Sequence, residues 1–277
     1  MTSNRQRNDR KSGERAKGPR TDSRSRAPIA NPGQRRRAAE AGAEWLWGWH
    51  AVVAALDNPA RARLKRLLAT QERAHELGAR LERDFAVEIL TVAEISQALP
   101  SGAVHQGVAL RAPLLEPLSL DDLADPAKGV LLMLDQVTDP QNVGAIFRSA
   151  AAFGARGVIL QDRHAPPLTG ALAKAAAGAV DYVPHARETN LSRALEQLEV
   201  MGWRAVGLDG EADIDLANVL DDRPIVLVMG SEGEGLRRLV REHCDVLAKI
   251  AMPGGFESLN VSAAAAVALY EASRTRS

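Results

Sequence analysis

The sequence predicts an α/β protein in two folded parts: a larger C-terminal domain built on a mostly parallel sheet, and a small N-terminal α/β domain. Three observations predict this. From Gly129 onward, short and almost wholly apolar runs such as GVLLMLD, GVIL and IVLVMG alternate with helical patterns, as strands covered on both faces do. Between Glu44 and Ala112 shorter runs alternate in the same way on a smaller scale. Between the two, the stretch 113–128, with Pro113, Pro117, Pro126 and several acidic residues, is expected to be a linker.

Taken in order, residues 1–43 are a basic tail. Residues 1–40 hold twelve Lys or Arg against four Asp or Glu, an excess of eight. The whole chain has 35 of each sign, so the remainder carries a net charge of minus eight. Rich in Ser, Asn, Gly and Pro and poor in large apolar residues, the tail is expected to be disordered. It is either a solvated appendage or an arm that contacts a polyanion such as RNA.

In residues 44–112, HAVVAAL is expected to be a helix, RLKRLLAT a strand, and QERAHELGARLERDF an amphipathic helix. VEILT follows as a strand, VAEISQAL as a helix and QGVALRA as an edge strand. In residues 129–277 the expected strands are GVLLMLD, GVIL, a short YVP, WRAVGL, IVLVMG and VLAKIAM. The expected helices run from Asn142 to Phe153, Thr169 to Ala179, Leu191 to Met201, onward from Gly235, and through the Ala-rich C-terminus.

Composition narrows the class. Of 277 residues 45% are hydrophobic and 25% charged, the balance of a soluble globular protein. The longest apolar run, AAAAVALY at Ala263 to Tyr270, is far below the roughly 18 residues of a membrane span, and no signal peptide is recognised, so no membrane is expected and the place is the cytoplasm. Cys244 is the only cysteine, which excludes a disulfide within the chain and a Cys-rich zinc site; no metal is expected, and Cys244 itself is expected to be a half-buried helix residue.

In parallel sheets ligands bind beyond the carboxyl ends of the strands, so the loops there carry the chemistry. Three of these loops are unusual. The first, from Leu134 to Ala155, places Asp139, Asn142 and Arg148 after a strand. The second, VMGSEGEGL, has its glycines as G-x-x-G-x-G and no Gly-Lys-Ser/Thr after them, so it matches neither of the two common phosphate-binding motifs. The third, IAMPGGFESLNVSAAAAVALYEA, sets Glu257, Ser258 and Asn260 between a glycine turn and a helix. There they either cap the helix or face a reaction site.

NVGAIFRSAAAFGA, VMGSEGEGL and IAMPGGFESLNVSAAAAVALYE resemble, in order and spacing, the three signature motifs of the SpoU (TrmH-like) branch of the SPOUT superfamily of RNA 2'-O-ribose methyltransferases. KAAAGAVDYVP, WGWHAV and GAVHQG are similar to the same family, closest to the type that methylates a guanosine of 23S ribosomal RNA. The resemblance spans about residues 45 to 273. It implies that the C-terminal domain forms a deep trefoil knot, which strand alternation alone does not suggest. It further implies S-adenosylmethionine as cofactor, a ribosomal-protein L30-like substrate-binding domain over residues 44–112, and a homodimer.

The resemblance also implies the site: Arg148, Asn142, Glu232, Ser258 and Asn260 in catalysis, and Gly230, Ile250, Leu259, Leu208 and Pro253 around the cofactor. A ribose 2'-hydroxyl is a very weak acid, so its attack on a sulfonium methyl needs a base or a cation beside it. Arg148 is the only cationic side chain in the motif cores, and acts there either as a base or as a stabiliser of the developing oxyanion. His50 and His105 either touch RNA or complete the small N-terminal core, with structure favoured; His164 and His243 carry no signal. Two rival expectations remain, an enzyme acting on another rRNA or tRNA nucleotide and a non-catalytic RNA-binding assembly factor on the same fold.

Overall fold

A computed structural model of the chain describes residues 43–61, 66–81, 86–254 and 258–275. The basic tail, Glu257, the first residues of the strand expected at RLKRLLAT (63–65) and the last of the helix expected at QERAHELGARLERDF (82–85) lie outside the described residues.

The N-terminal part contains strands β1 (Ala43–Trp47), β2 (Arg66–Ala69), β3 (Ala86–Ile89) and β4 (Val108–Pro113), with helices α1 (Trp49–Asp57), α2 (Gln71–Leu77) and α3 (Val92–Ala98). The strand order is β1-β4-β2-β3; β2 and β3 are parallel, and β4 runs antiparallel to both β1 and β2. The strand expected at the edge is therefore interior. Its edge side is covered by β1, a short run that the apolar pattern did not mark as a strand, and Val108, Ala109 and Leu110 are fully buried as a result. Threonines start α2 and α3: the hydroxyls of Thr70 and Thr91 accept from the backbone NH of Arg73 and Glu94, and Glu94 returns a bond to Thr91 in a full capping box.

The larger part begins with α4 (Leu120–Ala124), inside the stretch expected as a linker. Ser119 caps α4, Leu120, Leu123 and Ala124 are buried, and Trp203 Nε1 donates to Ala124 O at 3.0 Å. Apolar residues at a helical spacing decide this, and the prolines only frame it. The remaining elements are β5 (Val130–Leu134), α5 (Pro140–Ala152), β6 (Gly157–Gln161), α6 (Gly170–Ala175), β7 (His185–Glu188), α7 (Leu191–Val200), β8 (Arg204–Leu208), β9 (Ile225–Met229), α8 (Arg238–Glu242), β10 (Val246–Ala248) and α9 (Val261–Arg274). Six strands form one sheet in the order β10-β8-β9-β5-β6-β7, and every neighbouring pair is parallel. All residues of β5, β6 and β9 are buried, which is why these strands were visible as apolar runs.

Several boundaries differ from expectation: the amphipathic helix from Gln71 ends at Leu77, the strand sought at VLAKIAM stops at Ala248, and three further cases bear on the packing. The strand sought at YVP lies just after it, at HARE, whose polar letters hide a strand with His185 and Ala186 buried. The helix expected to start at Gly235 starts at Arg238, because Gly235 (φ +67°) belongs to a closed loop. The helix expected over Thr169 to Ala179 stops at Ala175, before Ala177 (φ +51°) and Gly178 (φ +90°). At Gly178 an added Cβ would lie 2.8 Å from His50 O and 2.7 Å from Ala54 Cβ, so α1 presses directly on this backbone.

That contact joins the two parts. Arg61, 1% exposed, reaches Asp181 with Nε–Oδ1 2.5 Å and also donates to Pro113 O at 2.6 Å, while Asn58 Nδ2 donates to Asp181 Oδ1 at 2.9 Å. A buried ion pair of this kind keeps both charges satisfied only while the two parts stay together. Nearby, burial and the Arg187 and Arg61 charges push the His185 imidazole down to about 4.

Candidate active site

The carboxyl ends of β8, β9 and β10 open into one cleft of about 1340 Å³. On its floor β9 ends at Met229, and the chain turns tightly. Ser231 and Gly235 exchange both backbone hydrogen bonds at 3.1 Å. A Cβ on Gly230 would lie 2.2 Å from the carbonyl carbon of Gly235, so only glycine closes this loop. Its far end is tied to β5: the fully buried carboxylate of Asp135 accepts from Arg237 N at 2.9 Å and from Arg237 Nε at 2.7 Å. Charge-assisted bonds at one end and close backbone packing at the other hold the loop that carries Glu232.

Two helix starts face this loop. Asp139 caps α5 by accepting from Gln141 N and Asn142 N, with Pro140 in the first turn, and so places Asn142 at the helix mouth. Asn260 caps α9: its Oδ1 accepts from Ser262 N at 2.9 Å and Ala263 N at 3.4 Å. Its Nδ2 points the other way, donating to Glu232 Oε1 at 2.6 Å and to Asn142 Oδ1 at 3.0 Å. Asn142 Nδ2 donates to the same Glu232 oxygen at 3.1 Å, and Val261 N at 3.3 Å. One end of the Asn260 amide thus caps α9 while the other holds Glu232 and Asn142.

Glu232 Oε1 is thus engaged by three donors, whereas Oε2 has no partner among the described residues. An exposed carboxylate with one oxygen anchored and the other open can accept from a hydroxyl brought to it. Ser258 is exposed, lines the same cleft and makes no hydrogen bond among the described residues. Arg148 is not brought into the cluster: it is exposed on α5, six residues after Asn142, which places it roughly 240° around the helix. It has no hydrogen bond or ion pair among the described residues.

Leu208, Gly230, Ile250 and Leu259 line the cleft; Pro253 does not, because it stands in the exposed turn that leaves the cleft after Met252. Leu208 and Ile250 also pack on the core, while Leu259 keeps an apolar side chain 41% exposed. The residues present fit S-adenosylmethionine. Leu208, Ile250, Met252 and Leu259 offer apolar surface for a flat base and a methionine chain, and Asp209 and Glu211 offer carboxylates for hydroxyl or ammonium groups. Asp209 is held by Arg241 at 2.9 Å.

Asp135, Arg237, Asp209 and Arg241 were not anticipated as site residues. One signal was present for Asp135: a single carboxylate closing an otherwise apolar strand, VLLMLD, needs a buried partner. The ion pairs themselves join residues too distant in sequence to be seen. His105 is structural, 5% exposed, with Nδ1 accepting from Gly107 N at 3.2 Å and Nε2 facing Ser96 Oγ at 3.0 Å; burial lowers its pKa. Cys244 is half-buried as expected but stands after the end of α8 rather than in a helix; burial pushes its thiol up to about 12, which disfavours the reactive thiolate. Among the described residues no group of three or more His, Cys, Asp or Glu is placed to hold a metal ion, and no helix is long and apolar enough to cross a membrane.

Comparison with known proteins gives two family matches. Residues 129–270 match the SpoU rRNA Methylase family, and residues 45–118 match a family described as RNA 2'-O ribose methyltransferase substrate binding. The 23S rRNA (guanosine-2'-O-)-methyltransferase RlmB of Xylella fastidiosa is 41% identical over 249 residues, covering 84% of this chain and 97% of that protein. Among solved structures, the SpoU methyltransferase AviRb from Streptomyces viridochromogenes in complex with AdoMet superposes with a TM-score of 0.71 at 26% identity, covering 90% of this chain and 94% of that one. An AdoMet-bound rRNA methyltransferase from Sinorhizobium meliloti superposes with a TM-score of 0.70 at 26% identity, covering 87% and 90%.

Proposed function

The chain belongs to the SpoU rRNA methylase family, and from that membership we propose that it transfers the methyl group of S-adenosylmethionine to the 2'-hydroxyl of a guanosine in 23S ribosomal RNA. The observation that carries the site assignment is the meeting of Asn142, Glu232 and Asn260 on one carboxylate oxygen at the mouth of the cleft.

Bound in this cleft, S-adenosylmethionine supplies an electrophilic methyl group on a sulfonium. Leu208, Gly230, Ile250 and Leu259 would hold it, with the closed loop from Gly230 to Gly235 supplying a rigid wall. Asn142 and Asn260 fix Glu232 so that its free oxygen accepts from the 2'-hydroxyl and orients it for in-line attack. Ser258, exposed on the same wall, adds a second hydroxyl contact.

Arg148 enters this scheme through a second copy of the chain. Its helix packs along α9, where Val267 and Tyr270 are 41% and 50% exposed and Tyr270 stacks edge-on with Phe153 at 5.8 Å. An apolar face of this kind suits a homodimer, and an arginine on its border can reach the neighbouring site as a base or as an oxyanion stabiliser. The family resemblance supports a knotted C-terminal domain over 129–277, an L30-like substrate-binding domain over 44–112, and Arg148 as the cation of the site. The place of action is the cytoplasm, where ribosomal RNA is modified. Mapping 2'-O-methyl positions in ribosomal RNA from cells with and without the gene tests the reading: one guanosine of 23S RNA should lose its methyl group, and an unchanged map would refute it.

A further inference from the structure

Gln106 has a conformation that needs a reason. Its φ is +56°, a region that side chains other than glycine rarely adopt. The fold holds it there from several sides. Its Oε1 accepts from Trp49 N at 3.0 Å, its backbone carbonyl accepts from Arg73 Nε at 3.0 Å, and the buried His105 ring ties down Gly107 behind it. Yet the side chain so carefully fixed is exposed, and its amide NH2 group has no partner among the described residues. Backbone strain maintained around an exposed polar group points to use of that group.

The surroundings indicate the use. The Arg73 guanidinium lies 4.9 Å from the centroid of the Trp49 ring, presenting a flat cationic face. Lys174, from α6 of the parallel-sheet part, covers Gly48, where a Cβ would lie 3.4 Å from Lys174 Cγ and 3.3 Å from Gln106 Oε1. The adjoining groove, about 990 Å³, is rimmed by Ile89, Val92 and Val104, which are 49%, 59% and 60% exposed. Flat faces, apolar edges and two free amide hydrogens suit a nucleobase. Glu72 and Glu94 line the same groove and Glu76 pairs with Arg73, a sign pattern that opposes a run of phosphates.

We propose that Gln106, the Arg73–Trp49 stack and the apolar rim receive one unstacked base of the RNA substrate, with the Gln106 amide donating to the base edge and Lys174 meeting the adjoining phosphate. The proposal rests on the reading of the chain as an RNA methyltransferase. It makes Gln106 a specificity residue for that reaction, because an amide donor discriminates between base edges and a stacking face does not.

The test uses the full chain and a ribosomal RNA fragment that the wild type methylates. Gln106→Gly removes the side chain while suiting a positive φ, and Gln106→Glu keeps the oxygen that binds Trp49 N but removes the donors. Both should raise the KM for RNA roughly tenfold or more, with melting temperature and S-adenosylmethionine affinity close to wild type and the salt dependence of RNA binding unaltered. Lys174→Ala should instead reduce the salt slope by about one. An RNA KM within twofold of wild type in both Gln106 variants would overturn the assignment and leave a protein contact as the use of the patch. Failure of the wild-type protein to methylate any ribosomal RNA would instead overturn the functional reading on which it rests.

Discussion

Asn260 Nδ2 stands 2.6 Å from Glu232 Oε1, while the carbonyl oxygen of the same side chain caps the last helix of the protein. The two functions can be separated. Asn260→Ser preserves a capping oxygen but cannot reach Glu232 with a donor, so its stability should stay within about 1 kcal/mol of wild type while methylation falls about a hundredfold. Asn260→Ala should lose both. Melting curves and single-turnover methylation on the same preparations check this; equal losses in the two variants' stability would show that the cap was not preserved.

Arg148 is exposed and makes no hydrogen bond or ion pair among the described residues, so its removal should leave the fold intact. Arg148→Ala is expected to lower the methylation rate by at least about a hundredfold with little change in cofactor affinity. Arg148→Lys separates charge from geometry: partial rescue indicates simple electrostatic stabilisation, none indicates a need for the planar guanidinium. Near-normal single-turnover rates for Arg148→Ala would move the catalytic role to Glu232.

Asp135 has its whole carboxylate buried against Arg237, at the root of the loop that carries Glu232. Asp135→Ala should release that loop, raising the Kd for S-adenosylmethionine about tenfold or more through loss of the fixed wall. Calorimetric titration reads it directly, and an unaltered Kd would show that the Gly230–Gly235 closure alone sets the wall.

Arg61→Ala would strand Asp181, whose side chain is 1% exposed, without its partner. The expected cost is about 3–5 kcal/mol, seen as a lower denaturant midpoint. Replacing both residues, as in Arg61→Met with Asp181→Leu, should recover much of it, since no charge then remains buried.

His185 gives the fold an acid-sensitive component. Its folded pKa of about 4 lies below the ordinary 6.5, so the unfolded chain binds a proton more readily. The stability that follows is therefore complete above about pH 6.5 and is lost as pH falls toward 4, to the extent of about 3 kcal/mol. His185→Gln should flatten this part of the stability–pH curve; a curve of unchanged slope between those limits would show that other groups cause it.

The sheet of the larger part was legible because its strands are buried on both faces and so consist of Val, Leu, Ile and Met. Where that condition fails, so does the pattern. Strand β7, HARE, hides its pairing behind polar letters, and AEWLW at β1 carries a Glu and two Trp rings in place of a run of Val, Leu and Ile. The buried apolar face of α4 was masked by flanking prolines, and the lone carboxylate of Asp135 signals a buried partner without showing that this partner is Arg237.

By itself the sequence determined the class of the protein, the alternation of its larger domain, and the three loops at which chemistry was to be sought, because periodicity and glycine placement are local properties of the chain. Only the tertiary structure decided that β4 is interior, that Asn142, Glu232 and Asn260 share one oxygen atom, that Arg148 stands outside that cluster, and that Arg61 and Asp181 join the two parts. Those outcomes depend on contacts between residues from about 30 to 120 positions apart, where chain closure, burial and the pairing of desolvated groups act together and leave no periodic trace in the sequence.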